Sequence, residues 1–354
     1  MTFTQLQVHS NYTLLHSPLA LSDLISAAKS RGYSAIALTD TNVVYGLVEF
    51  YRQAKAAGLK PLLGMQIAID DAKLLVIAKN NQGYHQLLKI STQIMLATSP
   101  VAFADLLPLT GLVAITLPDS PFSAAVAAND HDRAVAFLQE LDNKQPEAVY
   151  VGLDEAHLDT PLPAFATSQQ LHLMALGNVL YRDPTDAFTQ KVMAAIGDGS
   201  QLNFRDPVLT DAGPWWLKPP ADASAPFVAA GLQAAVDNTA QIADQTDVTI
   251  TFKQPQLPHY QTPDQLASKD YLTKLAQEGL ANRFHDQPIP ITYQQRLQYE
   301  LDVIIKMGFA DYFLVVWDVM NYAHKVNIMT GAGRGSAAGS LVSYALAITE
   351  VDPI

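Results

Sequence analysis

Cysteine is absent from this 354-residue chain. That excludes a disulfide framework, a cysteine nucleophile and any thiolate metal site. Long apolar runs are missing too: none reaches the roughly 20 residues of a membrane-spanning helix. The opening MTFTQLQVHSNY has neither the basic head nor the apolar run of a signal peptide. These absences lead us to expect a cytoplasmic protein with no membrane partner. Charge is sparse, at 16% of residues, and positive charge is the scarcer sign. Lys and Arg number 22 against 34 Asp and Glu, a net charge of −12 with the excess concentrated in residues 61–250. A broad basic face for duplex DNA is therefore not encoded. A polyanion would have to be met locally, by backbone N–H groups.

Hydrophobic residues are plentiful, at 49%. They are enough to fill a core, and they exclude a mainly disordered or coiled-coil chain. The length suits two domains, or one large α/β domain with a smaller companion.

The first half alternates short apolar runs with amphipathic helices. Strands are expected at 3–8, 34–38, 61–69, 74–78, 112–117, 148–153 and 171–176. The runs at 61–69 and 74–78 read as a hairpin turning at Asp70-Asp71. Helices are expected at 20–30, 46–57, 82–95, 133–142 and 184–195. Strands apolar on both faces suit a parallel sheet covered by helices. Their number favours a closed or nearly closed barrel. Gly and Pro break the pattern between Gly197 and Pro226, a stretch that includes Pro207. Helical spacing returns at 227–246 and again at 264–282, after an extended stretch that includes Pro255. The last helices are expected at 293–307, ended by Gly308, and from Asp311, read as a cap, through His324. A short strand at 328–330 then leads into a glycine loop and a small-residue helix from Ala337. The expected division is 1–200, 201–290 and 291–354. Ile354 follows so closely on the glycine loop that the sequence reads as cut within a domain.

That loop, Gly331-Ala332-Gly333-Arg334-Gly335-Ser336, is the densest functional signal. Glycine admits close backbone approach. Arg334 offers bidentate bonds to phosphate, and Ser336 offers a hydroxyl at a helix start. The spacing matches neither the P-loop nor the dinucleotide fingerprint. A tight turn followed by a closely packed helix is the plain alternative. A second cluster stands at the ends of the early strands: His9 and Asp40, with His16 nearby. The matching strand ends supply Gln7, Thr41, Gln66, Lys73, Asn178 and Leu180. Amides and a hydroxyl bring no charge to balance divalent ions, Lys73 would repel them, and Leu180 cannot ligate. A hydrogen-bonded rim pair is the better reading of His9 and Asp40.

These residues carry a resemblance. LQVHSNYTLLHS, SAIALTDTNVVYGLVEFY and KPLLGMQI resemble the PHP (polymerase and histidinol phosphatase) domain of the C-family bacterial polymerases. RLQYELDVIIKMGFADYFLVVWDVMNYAHKVNIMTGAGRGSAAGSLVSYALAITEVDPI resembles the entry into the polymerase palm of that family. The resemblance implies a distorted (β/α)7 PHP-type barrel, then a mostly helical segment entering a palm domain. It implies that Gln7, His9, His16, Asp40, Thr41, Gln66, Lys73, Asn178 and Leu180 stand at metal-ligand positions, most of them replaced. A degenerate, metal-free scaffold follows. It implies triphosphate contacts from Gly333, Arg334, Gly335, Ser336 and Ser340, although the family's proline is Ala332 here. The implied reaction is DNA-directed nucleotidyl transfer with two Mg²⁺ ions, held by acids beyond Ile354, so that residues 1–354 alone are inactive. The implied partners are primer-template DNA, dNTPs, a sliding clamp, a clamp loader and a proofreading exonuclease subunit. Two other classes compete with this reading: a PHP phosphoesterase or 3′-exonuclease using unusual ligands, and a scaffold module for other replisome subunits.

Overall fold

A computed structural model describes residues 3–202, 213–252, 257–263, 265–285 and 287–354. Pro207, Pro255 and Asp264 lie outside them. The chain divides by internal contacts into two compact units, residues 1–250 and 251–354.

The first unit is built on six strands in the sheet order β1 to β6. They are β1 (Ala35–Leu38), β2 (Lys60–Ile69), β3 (Ala72–Ala78), β4 (Leu112–Thr116), β5 (Ala148–Leu153) and β6 (His172–Ala175). The helices between them are α1 (Leu21–Ser30), α2 (Leu47–Ala57), α3 (Asn81–Leu96), α4 (Pro121–Ala127), α5 (His131–Asn143) and α6 (Leu162–Ser168). After β6 come α7 (Ala187–Asp198), α8 (Pro220–Ala229) and α9 (Gln233–Gln245). The sheet is mixed, not parallel throughout. β1–β2, β4–β5 and β5–β6 are parallel, whereas β3 runs antiparallel to both neighbours because the two-residue turn at Asp70-Asp71 reverses the chain.

Residues 3–8 form no regular strand, because they change neighbours midway. Gln5 bridges Ile36 of β1, and Val8 bridges Val179 beyond β6. Backbone bonds run from Thr39 N to Val8 O, from His9 N to Val179 O and from Val179 N to Gln7 O. The first segment thereby joins the two edges of the curled sheet. Side-chain parity follows from this closure. Leu6, Ala35, Ala37, Leu62, Leu75, Ile77, Val113, Ile115, Tyr150, Met174 and Leu176 share one buried cluster, to which α9 adds Ile242 and Ala243. The alternate residues Ile36, Leu38, Leu74, Val76, Ala114, Val151 and Leu153 pack outward against the helices. Thr4 N donates to Thr239 Oγ1 of α9, so α9 covers the end where the first segment starts, and His9 lies at the other end.

Local chemistry fixes the helix ends. Asn80, Ser120 and Asp130 accept backbone N–H bonds at the starts of α3, α4 and α5, and Gly58 ends α2 in the left-handed conformation. The helical stretch at 227–246 is two helices, since Gly231 takes φ +75° between α8 and α9.

The second unit is helical: α10 (Ser268–Arg283), α11 (Ile291–Lys306), α12 (Ala310–Lys325) and α13 (Leu341–Ala345). Its core includes Leu272, Ala276, Leu280, Leu297, Leu301, Leu314, Leu341 and Val342. Three details differ from the sequence reading. Residues 328–330 form no strand. Asp311 does not cap α12; its carboxylate accepts from Tyr260 N at 2.8 Å and Ser268 Oγ at 2.7 Å. The small-residue segment is a 3₁₀ turn, Gly335–Gly339, separated from α13 by Ser340 in extended conformation.

At Gly279 α10 packs so near α13 that a Cβ would lie 2.0 Å from Ala345 O. Alanine normally improves a helix interior by up to about 1 kcal/mol. Here backbone meets backbone and cannot yield. Gly279→Ala is expected to destabilise the unit by about 1–3 kcal/mol, read as a lower urea midpoint with an unchanged slope.

Candidate functional sites at the barrel rim and the glycine loop

The barrel end opposite α9 gathers most of the candidate ligands. Asp40 is 2% exposed and receives three donors from the loop after the first segment: Ser10 N at 2.7 Å, Ser10 Oγ at 2.8 Å and Thr13 Oγ1 at 2.7 Å. Burial raises its carboxyl pKa, and those bonds oppose the rise without cancelling it. Gln7 Nε2 donates to Gln66 Oε1 at 3.0 Å, and Gln66 Nε2 reaches Thr41 Oγ1 at 3.5 Å. Lys73 is ion-paired with Asp119. Leu180 contributes only backbone: its carbonyl accepts from Ser17 Oγ. His16 is exposed, and its carbonyl accepts from Gln190. Gln7, Asn178 and Leu180 line one wall of a cavity of about 420 Å³, whose other walls include Asp119, Trp215, Trp216 and Phe227. His9, Asp40 and Gln66 are outside that lining.

His9 is fully buried, and its pKa falls to about 4. Burial is the main cause, with the positive charges of Lys73 and His16 adding to it. A neutral imidazole is a competent ligand, but the groups around it are not. The two glutamines bond each other, Asp40 already accepts three hydrogen bonds from the loop after the first segment, and Lys73 brings a positive charge. Among the described residues no three His, Asp or Glu side chains converge to hold a metal ion. This donor set does not fit a divalent cluster. Sequence reasoning missed Ser10 and Thr13. They lie 30 and 27 residues before Asp40, so periodicity gives no sign of the contact.

In the second unit the glycine loop stands exposed, with Arg334 and Ser336 on its surface. Gly333 takes φ +132° and Gly335 φ +57°, conformations that suit glycine. Ser340 is not free: its hydroxyl donates to Glu300 Oε2 at 2.8 Å. Leu341 N and Val342 N also donate to Glu300, each at 3.1 Å, and Arg296 Nε bonds Glu300 Oε1 at 2.6 Å. Burial opposes charge on Glu300, yet the amides, the arginine and the hydroxyl together hold its pKa below the usual carboxylate range. Sequence reasoning missed this residue. Its one local sign is the i,i+4 spacing from Arg296. Asp352 accepts from Tyr293 Oη at 2.6 Å and from Ile354 N at 3.0 Å, so both its oxygens are engaged.

The low pKa of His9 has a stability consequence. The unfolded imidazole binds a proton below its ordinary value of 6.5, whereas the folded one resists it until about 4. The contribution is therefore complete above pH 6.5 and is lost as pH falls toward 4. The first unit is expected to lose about 3 kcal/mol across this window. Chemical denaturation at stepped pH checks this, and His9→Gln is expected to flatten that part of the profile.

Comparison with known proteins places these sites in a family. Residues 5–141 match the PHP domain model, and residues 270–354 match the model of the bacterial DNA polymerase III alpha NTPase domain. The chain is 37% identical over 371 residues to the DNA polymerase III subunit alpha of Bacillus subtilis, an alignment covering 100% of this chain and 33% of that protein. It is 36% identical over 369 residues to the Halalkalibacterium halodurans subunit, covering 100% and 32%. It is 32% identical over 381 residues to the Borreliella burgdorferi subunit, covering 99% and 33%. The chain thus spans about a third of the length of these curated relatives. Among solved structures, an amidohydrolase from Chromobacterium violaceum is similar at 11% identity and a TM-score of 0.39, over 50% of this chain and 87% of that one. With a PHP match first, a polymerase match second and relatives of one kind along its whole length, this chain belongs to the bacterial DNA polymerase III alpha (C-family) group, of which it carries the N-terminal PHP domain and the start of the polymerase region.

Proposed function

We propose that the protein containing this chain is a DNA-directed DNA polymerase that extends primers by template-directed nucleotidyl transfer. The observation that carries this reading is the exposed Gly333–Ser336 loop within a segment matched by the polymerase III alpha model. Arg334 would bind phosphate oxygens through its planar fork. Ser336 and the backbone of Gly333 and Gly335 would add N–H and hydroxyl donors, and Ser340 would act through its bond to Glu300. Magnesium would supply charge neutralisation for the departing pyrophosphate. Asp352, with both oxygens already engaged, is not among its ligands, and the catalytic acids lie outside residues 1–354. Large apolar side chains left exposed on α11 and α12, including Tyr299, Val319 and Tyr322, support a larger polymerase domain built onto this unit.

The PHP barrel then serves as a scaffold without resident metal. The three hydrogen bonds into Asp40, the Gln7–Gln66 bond and the Lys73–Asp119 pair favour this over a phosphoesterase or 3′-exonuclease. In the same reading the functional segments are 1–200 for the barrel, 201–290 for its continuation and linker, and 291–354 for the start of the palm. The protein works in the cytoplasm with primer-template DNA, dNTPs, a sliding clamp, a clamp loader and a proofreading exonuclease subunit. Among the described residues no helix is long and apolar enough to cross a membrane.

Three measurements test this. Primer extension is expected from the full-length protein with Mg²⁺ and not from residues 1–354; extension by the short chain would overturn the placement of the catalytic acids. In the full-length enzyme, Arg334→Ala is expected to raise the dNTP KM by about tenfold or more, through the loss of a charge-assisted contact. Elemental analysis of the purified chain is expected to find zinc and manganese well below one per molecule. Stoichiometric metal lost on replacing His9 or Asp40 would favour the phosphoesterase instead.

A further inference from the structure

The nucleotide loop is held from both ends by charged side chains of α10 and α11. Where the chain enters, Glu350 N donates to Ala332 O at 2.7 Å. Arg283 fixes that contact. One of its amino groups bonds the Glu350 carboxylate at 2.5 Å, the other bonds Thr349 O at 3.1 Å, and its Nε donates to Tyr344 O at 3.1 Å. Its guanidinium also lies over the Tyr344 ring, 4.3 Å from the centroid. Where the chain leaves, Arg296 donates to Gly339 O at 3.2 Å, and Glu300 gathers Ser340 Oγ, Leu341 N and Val342 N. Between these clamps the arch 333–338 is mostly exposed, and two of its glycines take positive φ. An arch of that composition has little stiffness of its own. Its shape is imposed from its ends.

We propose that Glu300, oriented by Arg296, is a positioning residue for nucleotide binding: it sets where Arg334 and Ser336 meet the triphosphate without touching the nucleotide. The inference rests on the polymerase reading and deepens it. Glu300 places a carboxylate against three donors at the start of α13. Those three donors are consumed inside the protein, and the triphosphate is left to the arch alone. The geometry also asks for a carboxylate. Oε1 accepts from Leu341 N and Arg296, and Oε2 accepts from Val342 N and Ser340 Oγ. An amide would turn its own N–H₂ toward Leu341 N and Arg296, or toward Val342 N and Ser340 Oγ, of which only the hydroxyl can accept instead.

Single-nucleotide incorporation by the full-length enzyme tests the proposal, with the dNTP KM, kcat and primer-template affinity measured separately. Glu300→Gln is expected to raise the dNTP KM by about tenfold, because a misplaced donor set costs that much or more. Primer-template affinity is expected to be unchanged. Glu300→Asp keeps both oxygens on a shorter arm and is expected to recover part of the loss. Glu300→Ala is expected to match or exceed the glutamine variant. Should it fail to fold, the near-isosteric glutamine variant decides. Arg334→Ala separates the two readings. If it leaves the dNTP KM unchanged, the phosphate loop itself is refuted, and the positioning role with it. If it raises the KM while folded Glu300→Gln does not, the positioning role alone is overturned. Equal weakening of nucleotide and primer-template binding by Glu300→Gln would mark general damage and would also overturn it.

Discussion

A carboxylate removed from water has to be given donors, and in this chain two carboxylates, Asp40 and Glu300, draw them from the surrounding backbone and hydroxyl groups. The consequences differ because of what each carboxylate collects. Asp40 collects Ser10 and Thr13, and so ties the loop after the first segment to the end of β1. Glu300 collects the start of α13, and in doing so fixes the trailing end of the glycine loop. The same demand therefore ties down a loop at the rim in one case and the segment after the glycine loop in the other.

The first of these depends on how the barrel closes. Segment 3–9 reaches its neighbours through isolated bridges, first to β1 and then to the chain past β6. Only a segment that bonds both edges can bring Gln7, His9 and Ser10 to the same end as Asp40, Gln66 and Asn178. Closure also gives the interior its composition. Each strand contributes alternate residues to a single apolar cluster, and α9 seals the end away from the rim. What is left at the open end is a short polar belt on an apolar plug.

Much of this architecture was legible in the sequence. The runs at 112–117 and 148–153 are short, apolar and bounded by breakers, so their strands stand out. Asp70-Asp71 between two such runs announced a hairpin, but the strands, apolar on both faces, read as a parallel sheet, and the reversal of β3 against both neighbours appears only in the structure. α4 and α6 did not stand out: each has seven residues, too few turns for a periodic signal. The resemblance named the ligand positions, and the residues standing there made clear that the ligand set was broken. It did not reveal which bonds those residues make, because the bonds join residues tens of positions apart. Glu300 reads from its own helix as half of an ordinary surface pair with Arg296. Its partners at 340–342 come from a different element and become visible only when the helices pack. Periodicity reports which face a residue lies on, and polar pairing across elements leaves no trace in it.

The rim also explains why the substitutions there belong together. A cluster of acids and imidazoles is stable at close range only while cations sit among them; without the cations, like charges and desolvation oppose folding. At this rim each charge has been dealt with separately. His9 stays neutral down to about pH 4. Lys73 has Asp119. Gln7 and Gln66 replace charge with a mutual hydrogen bond. Leu180 offers only its backbone. Restoring a single ligand would therefore not restore a site. An acid introduced at position 66 would still accept from Gln7, but it would lose the amide donor that reaches Thr41 Oγ1 and bring a second charge to the end that holds buried Asp40, with no cation to balance either. The polar belt at this end is held by hydrogen bonds and one ion pair that join residues of the rim to one another.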